Sequence, residues 1–164
     1  MSGGDENNAR ALPPTRRIRG VMAVVATSFV AAALFTSPIA IADTTVSLRT
    51  GVAGLRGTAC GPLTANPAID QAAAQINDTT DQYINNTARA IPETDALPVL
   101  KDVGYGGSKA VILSGAAKTE TNAVKAILLQ GFATIPDCSY SDYGVSALYN
   151  AKKDMILTTV VLAG

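Results

Sequence analysis

"YGVSALYNAKKDMILTTVVL", Tyr143 to Leu162, is the stretch from which the rest of the chain can be ordered. Two runs rich in Val, Leu, Ile, Tyr and Thr flank the polar break "NAKKD". Branched and aromatic side chains suit a pleated, half-buried surface, so each run reads as a strand. A short polar link between two such runs makes them an antiparallel hairpin. A hairpin alone has too little apolar surface to stand in water, so the preceding sequence must cover it.

That sequence supplies helices. In "KTETNAVKAILLQG", Thr119 caps an amphipathic helix, Ala123, Val124, Ile127 and Leu128 share one face, and Gly131 ends it. "KAVILS" is a compact apolar run and reads as a further strand. "LPVLKDVGYGG" reads as a short helix stopped by Gly104, and "TARAIPETDA" as a loop around Pro92. The clearest helix is "TANPAIDQAAAQINDTTDQYINN". Asn66 is its N-cap, Pro67 its first helical residue, and Asp70 lies where the helix dipole favours an anion. Ile69, Ala72, Ala73, Ile76, Tyr83 and Ile84 form its apolar stripe, with Asn, Asp, Gln and Thr on the water side. "VSLRTGVAGLRGTACGPL" reads as a lead-in of one or two helical turns, ended by Gly61-Pro62. The order is helix, helix, strand, helix, strand, strand, which makes an α+β layered domain.

The first forty-odd residues have a different texture. "PTRRIRG" is basic, "VMAVVATSFVAAALF" is apolar and uncharged, and "SPIAIAD" ends in Ala40-Ile41-Ala42. This is the layout of a signal peptide over residues 1–42, cleaved between Ala42 and Asp43, with the domain over 43–164. The alternative is an uncleaved anchor, since the apolar run reaches Ile41. Either way, membrane contact is expected only through this segment, and the protein is secreted or retained at the cell envelope.

Formal net charge is zero and the chain contains no histidine. Zero charge removes the electrostatic case for nucleic acid. The missing imidazole excludes Ser-His-Asp and Cys-His catalysis and the common His-ligated zinc sites. After Ala42 there are nine Lys/Arg against eleven Asp/Glu, so the domain is mildly acidic. Its two cysteines, Cys60 and Cys138, are an even count in an exported chain and are expected to form a disulfide.

The remaining chemical candidates have plainer readings. "GYGGSK" lacks the spacing of a phosphate loop and is expected to be a glycine turn. Ser108, Ser114 and Ser141 do not form the Ser-x-x-Lys of lysine-assisted serine enzymes. Asp137 and Asp142 flank Cys138 and would suit acid–base work or calcium, but solvated turn carboxylates are the simpler reading. Asn77-Asp78-Thr79 and Asn85-Asn86-Thr87 match the N-glycosylation pattern, which matters only in a eukaryotic pathway.

The order of "CGPLTANPAIDQAAA", "VGYGGSKAVILSG", "NAVKAILLQGFATIPDCSYSDYGVSALY" and "MILTTVVLAG" resembles the CAP superfamily, the cysteine-rich secretory, antigen 5 and pathogenesis-related 1 domain. The texture is similar to small exported CAP-like proteins of mycobacteria and related actinobacteria. The resemblance implies an α-β-α sandwich, a small antiparallel sheet flanked by helices, with a surface groove. Many relatives hold a metal in that cleft with two histidines and two acids. The corresponding positions here are near Asn86, Ala110 and Gly131 or Phe132, and none matches. The expectation is therefore a non-enzymatic domain without cofactor or metal. It would bind a lipid, a cell-wall component or an envelope partner, with Tyr83, Asn86, Tyr105 and Tyr140 contributing to the groove. The alternatives are a secreted structural or interaction protein and a histidine-independent hydrolase.

Overall fold

The computed structural model describes residues 39–87, 89 and 91–164. The basic and apolar parts of the expected signal peptide, up to residue 38, lie outside the described residues. The elements are α1 (Ile39–Arg56), β1 (Thr64–Ala65), α2 (Pro67–Ile84), α3 (Ala96–Asp102), β2 (Ala110–Ala117), α4 (Glu120–Gln130), β3 (Asp142–Asn150) and β4 (Met155–Ala163).

The hairpin is the centre of the molecule. β3 and β4 pair antiparallel, with Asp142 opposite Ala163 and Asn150 opposite Met155. The Asn150 side chain shapes the turn by accepting the Lys153 N–H at 2.8 Å. β4 also pairs antiparallel with β2, Ala110 opposite Ala163 and Ala117 opposite Ile156. β1 adds two residues to β3, in parallel, giving the order β1-β3-β4-β2.

Helices cover both faces, so the domain is an α-β-α sandwich. Side chains alternate along a strand, and β4 divides its own between two cores. Val160 and Leu162 join Val145, Tyr143 and Leu113 beneath α1 and α4, packed by Leu48, Val52 and Ile127. Val161 and Ala163 point the other way, under α2 and α3, packed by Ile69, Ala72, Ala73, Ile76, Ala96 and Leu100. A strand buried on both faces has no reason to alternate polar with apolar, which is why "MILTTVVLA" reads as a nearly continuous run.

The caps act as their chemistry requires. Asn66 accepts the Ala68 N–H at 3.0 Å ahead of Pro67, and Asp95 caps α3 by accepting the Leu97 N–H at 2.9 Å. Thr119 caps α4, and Gly131 follows its last residue. Gly104, at φ 81°, adopts the left-handed conformation that stops the chain after α3.

Five readings of the secondary elements are corrected, the lead-in first. The lead-in is not one or two turns but the C-terminal part of an 18-residue helix, α1. Its inward line is Thr44, Leu48, Val52 and Arg56, all buried, at four-residue spacing. The expected cleavage bond, Ala42–Asp43, falls in the first turns of this helix. Tyr83 leaves the α2 stripe and is 49% exposed, while Asn77, placed on the water side, is 2% exposed. β2 runs three residues past Ser114, to Ala117, and β1 has no counterpart in the strands read from sequence. Among the described residues, no helix is long and apolar enough to cross a membrane.

Candidate functional site

Among the described residues, polar or concave surface gathers at several places, of which three bear on function. The first is the corner between α4 and β3, "TIPDCSYSDYGVS". Cys60 and Cys138 form a disulfide there, with Cα atoms 5.1 Å apart and a sequence separation of 78. Beside it lies a buried cation. Arg56 donates from Nε to the Gly61 carbonyl at 3.1 Å. Its Nη1 donates to the Ile135 and Asp137 carbonyls at 2.9 and 2.7 Å, and its Nη2 to the Tyr140 carbonyl at 2.8 Å. The guanidinium thus binds the same loop as the disulfide, from inside, through backbone acceptors. Its fork of fixed donors suits this task as a lysine ammonium would not.

On the outer side of the loop, Lys109 donates to Asp137 at 3.2 Å and to the Ser139 hydroxyl, and sits 4.3 Å over the Tyr140 ring. Carboxylate, hydroxyl and π-face all complement a positive charge, so this is the setting of a bound cation. Asp142 is held separately, accepting from the Tyr105 hydroxyl at 3.0 Å and the Ser141 hydroxyl at 2.7 Å. The two aspartates therefore do not share a proton or a ligand. Burial first, and the Asp142 carboxylate second, push the Tyr105 hydroxyl up to about 12. Ser139, which the sequence reading did not single out, is the serine that meets a lysine. The two are 30 residues apart, so no short motif could have shown it. Ser114 is at the β2 edge and Ser108 donates its N–H to the Gly164 carbonyl. Among the described residues, no three His, Cys, Asp or Glu side chains are placed to hold a metal ion.

The Ser139 backbone N–H, then its hydroxyl and the Lys109 ammonium, hold the Asp137 carboxyl down at about 2. A carboxyl lowered on folding contributes stability above its unfolded value, about 4, and loses it as pH falls toward the folded value. Asp137→Asn is expected to flatten the stability curve between pH about 4 and about 2 by lowering stability above pH about 4, neutral pH included, while leaving it little changed below pH about 2. A carbon-detected titration of wild-type Asp137 with its midpoint near 4 would show that the network does not form.

The four residues expected to share a groove do not come together. Tyr105 and the buried Tyr140 belong to this corner, at the Asp142 end of β3. Tyr83 and Asn86 lie at the C-terminal end of α2. Asn85 and Asp81 there bond Asn150, at the opposite end of β3. Asn86 adopts φ 54°, which asparagine tolerates just past a helix. Ala110 pairs with Ala163 at the Asp142 end, so the positions corresponding to the family's metal ligands are also spread apart. Asn77, in the first glycosylation pattern, is buried.

The second place is an open groove of about 380 Å³ between α1 and α4, lined by Ser47, Glu120, Thr121, Val124, Lys125 and Leu128. Val124 and Leu128 are half-buried and rest on the core below it. The Ser47 hydroxyl donates to Glu120 at 2.6 Å across its top. The third is a cavity of about 160 Å³ between the C-terminal half of α2 and the β2–β4 ribbon.

No protein-family model matches the chain, and no curated protein matches it. A solved structure does. A cysteine-rich secretory protein from Staphylococcus aureus subsp. aureus Mu50 aligns with a TM-score of 0.52 at 14% identity, covering 75% of this chain and 38% of that one. The chain thus spans well under half the length of that protein. At this identity the likeness is one of fold: a mixed α+β domain of the CAP-like kind.

Proposed function

We propose that this chain is an exported, non-catalytic CAP-like binding module that takes an acyl lipid of the cell envelope into the groove between α1 and α4. One observation carries the reading. The groove has an aliphatic floor, Val124 and Leu128, and a charged rim, Glu120 and Lys125. A tail can bury apolar area on the floor at roughly 25 cal/mol per Å², while a carboxylate or phosphate head meets the Lys125 ammonium. The disulfide suits an oxidising compartment, and the leader supplies the route there. The corner around Cys138 does not compete as a reaction centre, because Ser139, Lys109 and Asp137 are engaged with one another and Asp142 with Ser141 and Tyr105.

Displacement of a fluorescent fatty acid by palmitate tests this. Saturable binding is expected, weakened about tenfold by Lys125→Glu, equivalent to about 1.4 kcal/mol, and abolished by Val124→Asp. Absence of saturable palmitate binding would discard the reading. It would leave the structural or interaction role, which the exposed Leu129 and Phe132 at the end of α4, 67% and 69% exposed, favour next.

A further inference from the structure

The α2 face of the sheet carries a row of hydroxyls where the core should be dry. Ser114 of β2 lies opposite Thr159 of β4, and Thr159 lies opposite Ser146 of β3. All three are in the strand register that faces α2, alternating with residues that face α4. Above the row stands Asn77, which donates from Nδ2 to Ser146 Oγ at 3.3 Å and to the Leu157 carbonyl at 3.1 Å. Asn77 and Thr159 are 2% and 1% exposed. Among the described residues, the Thr159 hydroxyl has no hydrogen-bond partner and the Asn77 carbonyl oxygen accepts from none. Neither atom is wholly shut off from solvent, so both are free to hydrogen-bond whatever fills the space beside them.

The partner has room. Asn77, Thr80, Ser114, Leu157 and Thr159 line the cavity of about 160 Å³ described above, with Ile84. Ser114 and Ala116 are exposed, so it opens at the β2 edge and ends at Asn77 and Thr159. Its volume is roughly that of five waters in the liquid, below that of a drug-sized site. None of its lining residues is charged. Hydroxyls and an amide on one side, with Ile84, Ala116 and Leu157 as the aliphatic remainder, describe a ligand with a polar rim and an apolar face.

We infer that this cavity is a second binding site, separate from the α1–α4 groove, for one neutral, hydroxyl-rich ring such as an unmodified hexose or cyclitol. The ligand's hydroxyls donate to the Asn77 carbonyl and exchange hydrogen bonds with Thr159 and Ser114. Its C–H face rests on Ile84 and Leu157. A fatty acid does not match, because burying the row against a tail would leave it unpaired.

The test is a titration of the full chain, labelled at Thr and Ile methyls, with glucose, galactose and myo-inositol in separate arms. With at least one probe, the Thr80, Thr159 and Ile84 methyl signals are expected to shift saturably with millimolar affinity. Ile135, in the opposite core, should stay still. Thr159→Val keeps the shape and removes the hydroxyl, and it should weaken binding about tenfold or more. Ser114→Ala, at the exposed mouth, should weaken it too, which covers the case in which Thr159→Val does not fold. Shifts that stay linear or absent with all three probes overturn the inference and make the cavity a water pocket. Shifts that persist unchanged in both variants overturn it as well. Palmitate binding in the other groove is read separately, so either result can stand without the other.

Discussion

Replacing Gly144 by alanine is expected to cost the domain roughly 4 kcal/mol or more, which for many domains of this size is most of the stability. A Cβ at Gly144 would lie 2.2 Å from the Ile69 carbonyl carbon and 2.3 Å from the Asp70 nitrogen. Those are backbone atoms of the first turn of α2, so no side chain can rotate away. The helix would have to lift off β3. The same seating lets Asp70 accept the Val145 N–H at 2.8 Å, on the β3 edge that β1 does not reach, and hold Arg49 of α1 through both carboxylate oxygens at 2.8 and 2.7 Å. Lifting α2 would open that clasp together with the packing of Ile69 and Ala73. Urea unfolding should show a much lower midpoint, or no folded baseline. Gly106→Ala is the control. Nothing lies within 4 Å of its added Cβ, so stability should change by no more than about 0.5 kcal/mol. Similar losses at both glycines would mean that the close approach at Gly144 does not set the effect.

Arg56→Met should cost roughly 3–5 kcal/mol, the scale of removing one partner from a buried polar network. Methionine keeps much of the stem's packing but leaves the carbonyls of Gly61, Ile135, Asp137 and Tyr140 without their donor. Arg56→Lys should recover only part, because an ammonium cannot serve acceptors spread along a loop from Ile135 to Tyr140. Breaking the disulfide with Cys60→Ser and Cys138→Ser is expected to cost about 2–4 kcal/mol. Since both devices hold the same loop, the combined variant should depart from additivity. A loss at Arg56→Met under about 1 kcal/mol would show that water replaces the guanidinium without penalty.

The parts of the fold legible in the sequence are those set by local chemistry. Asn66-Pro67, Thr119, Gly104 and Gly131 act within a few residues of themselves, and each marks the helix end expected of it. The hairpin and its turn are legible for the same reason. α1 was shortened because its buried line contains Thr44 and Arg56, so only Leu48 and Val52 register as an apolar period. β1 exists because Thr64 and Asn66 donate to the carbonyls of Ser141 and Tyr143, and no two-residue pattern could announce that. The site was less legible than the fold. Lys109 meets Ser139, and Ser114, Thr159 and Ser146 meet one another, only after strands far apart in sequence pair. Choosing Tyr83, Asn86, Tyr105 and Tyr140 by residue type could not reveal that they lie at two ends of one sheet.

The position of β4 also sets the timing of assembly. Among the described residues, β2 has β4 as its only strand neighbour in the sheet, and β3 has otherwise just the two residues of β1. A chain that ends at β3 would therefore leave β2, its first long strand, unpaired. The β2 pairing awaits Met155–Ala163 and joins strands distant in sequence, contacts of a kind that form slowly. Loss of the β4 pairing would thus undo the sheet and uncover both cores at once, since Val160 and Leu162 belong to one and Val161 and Ala163 to the other.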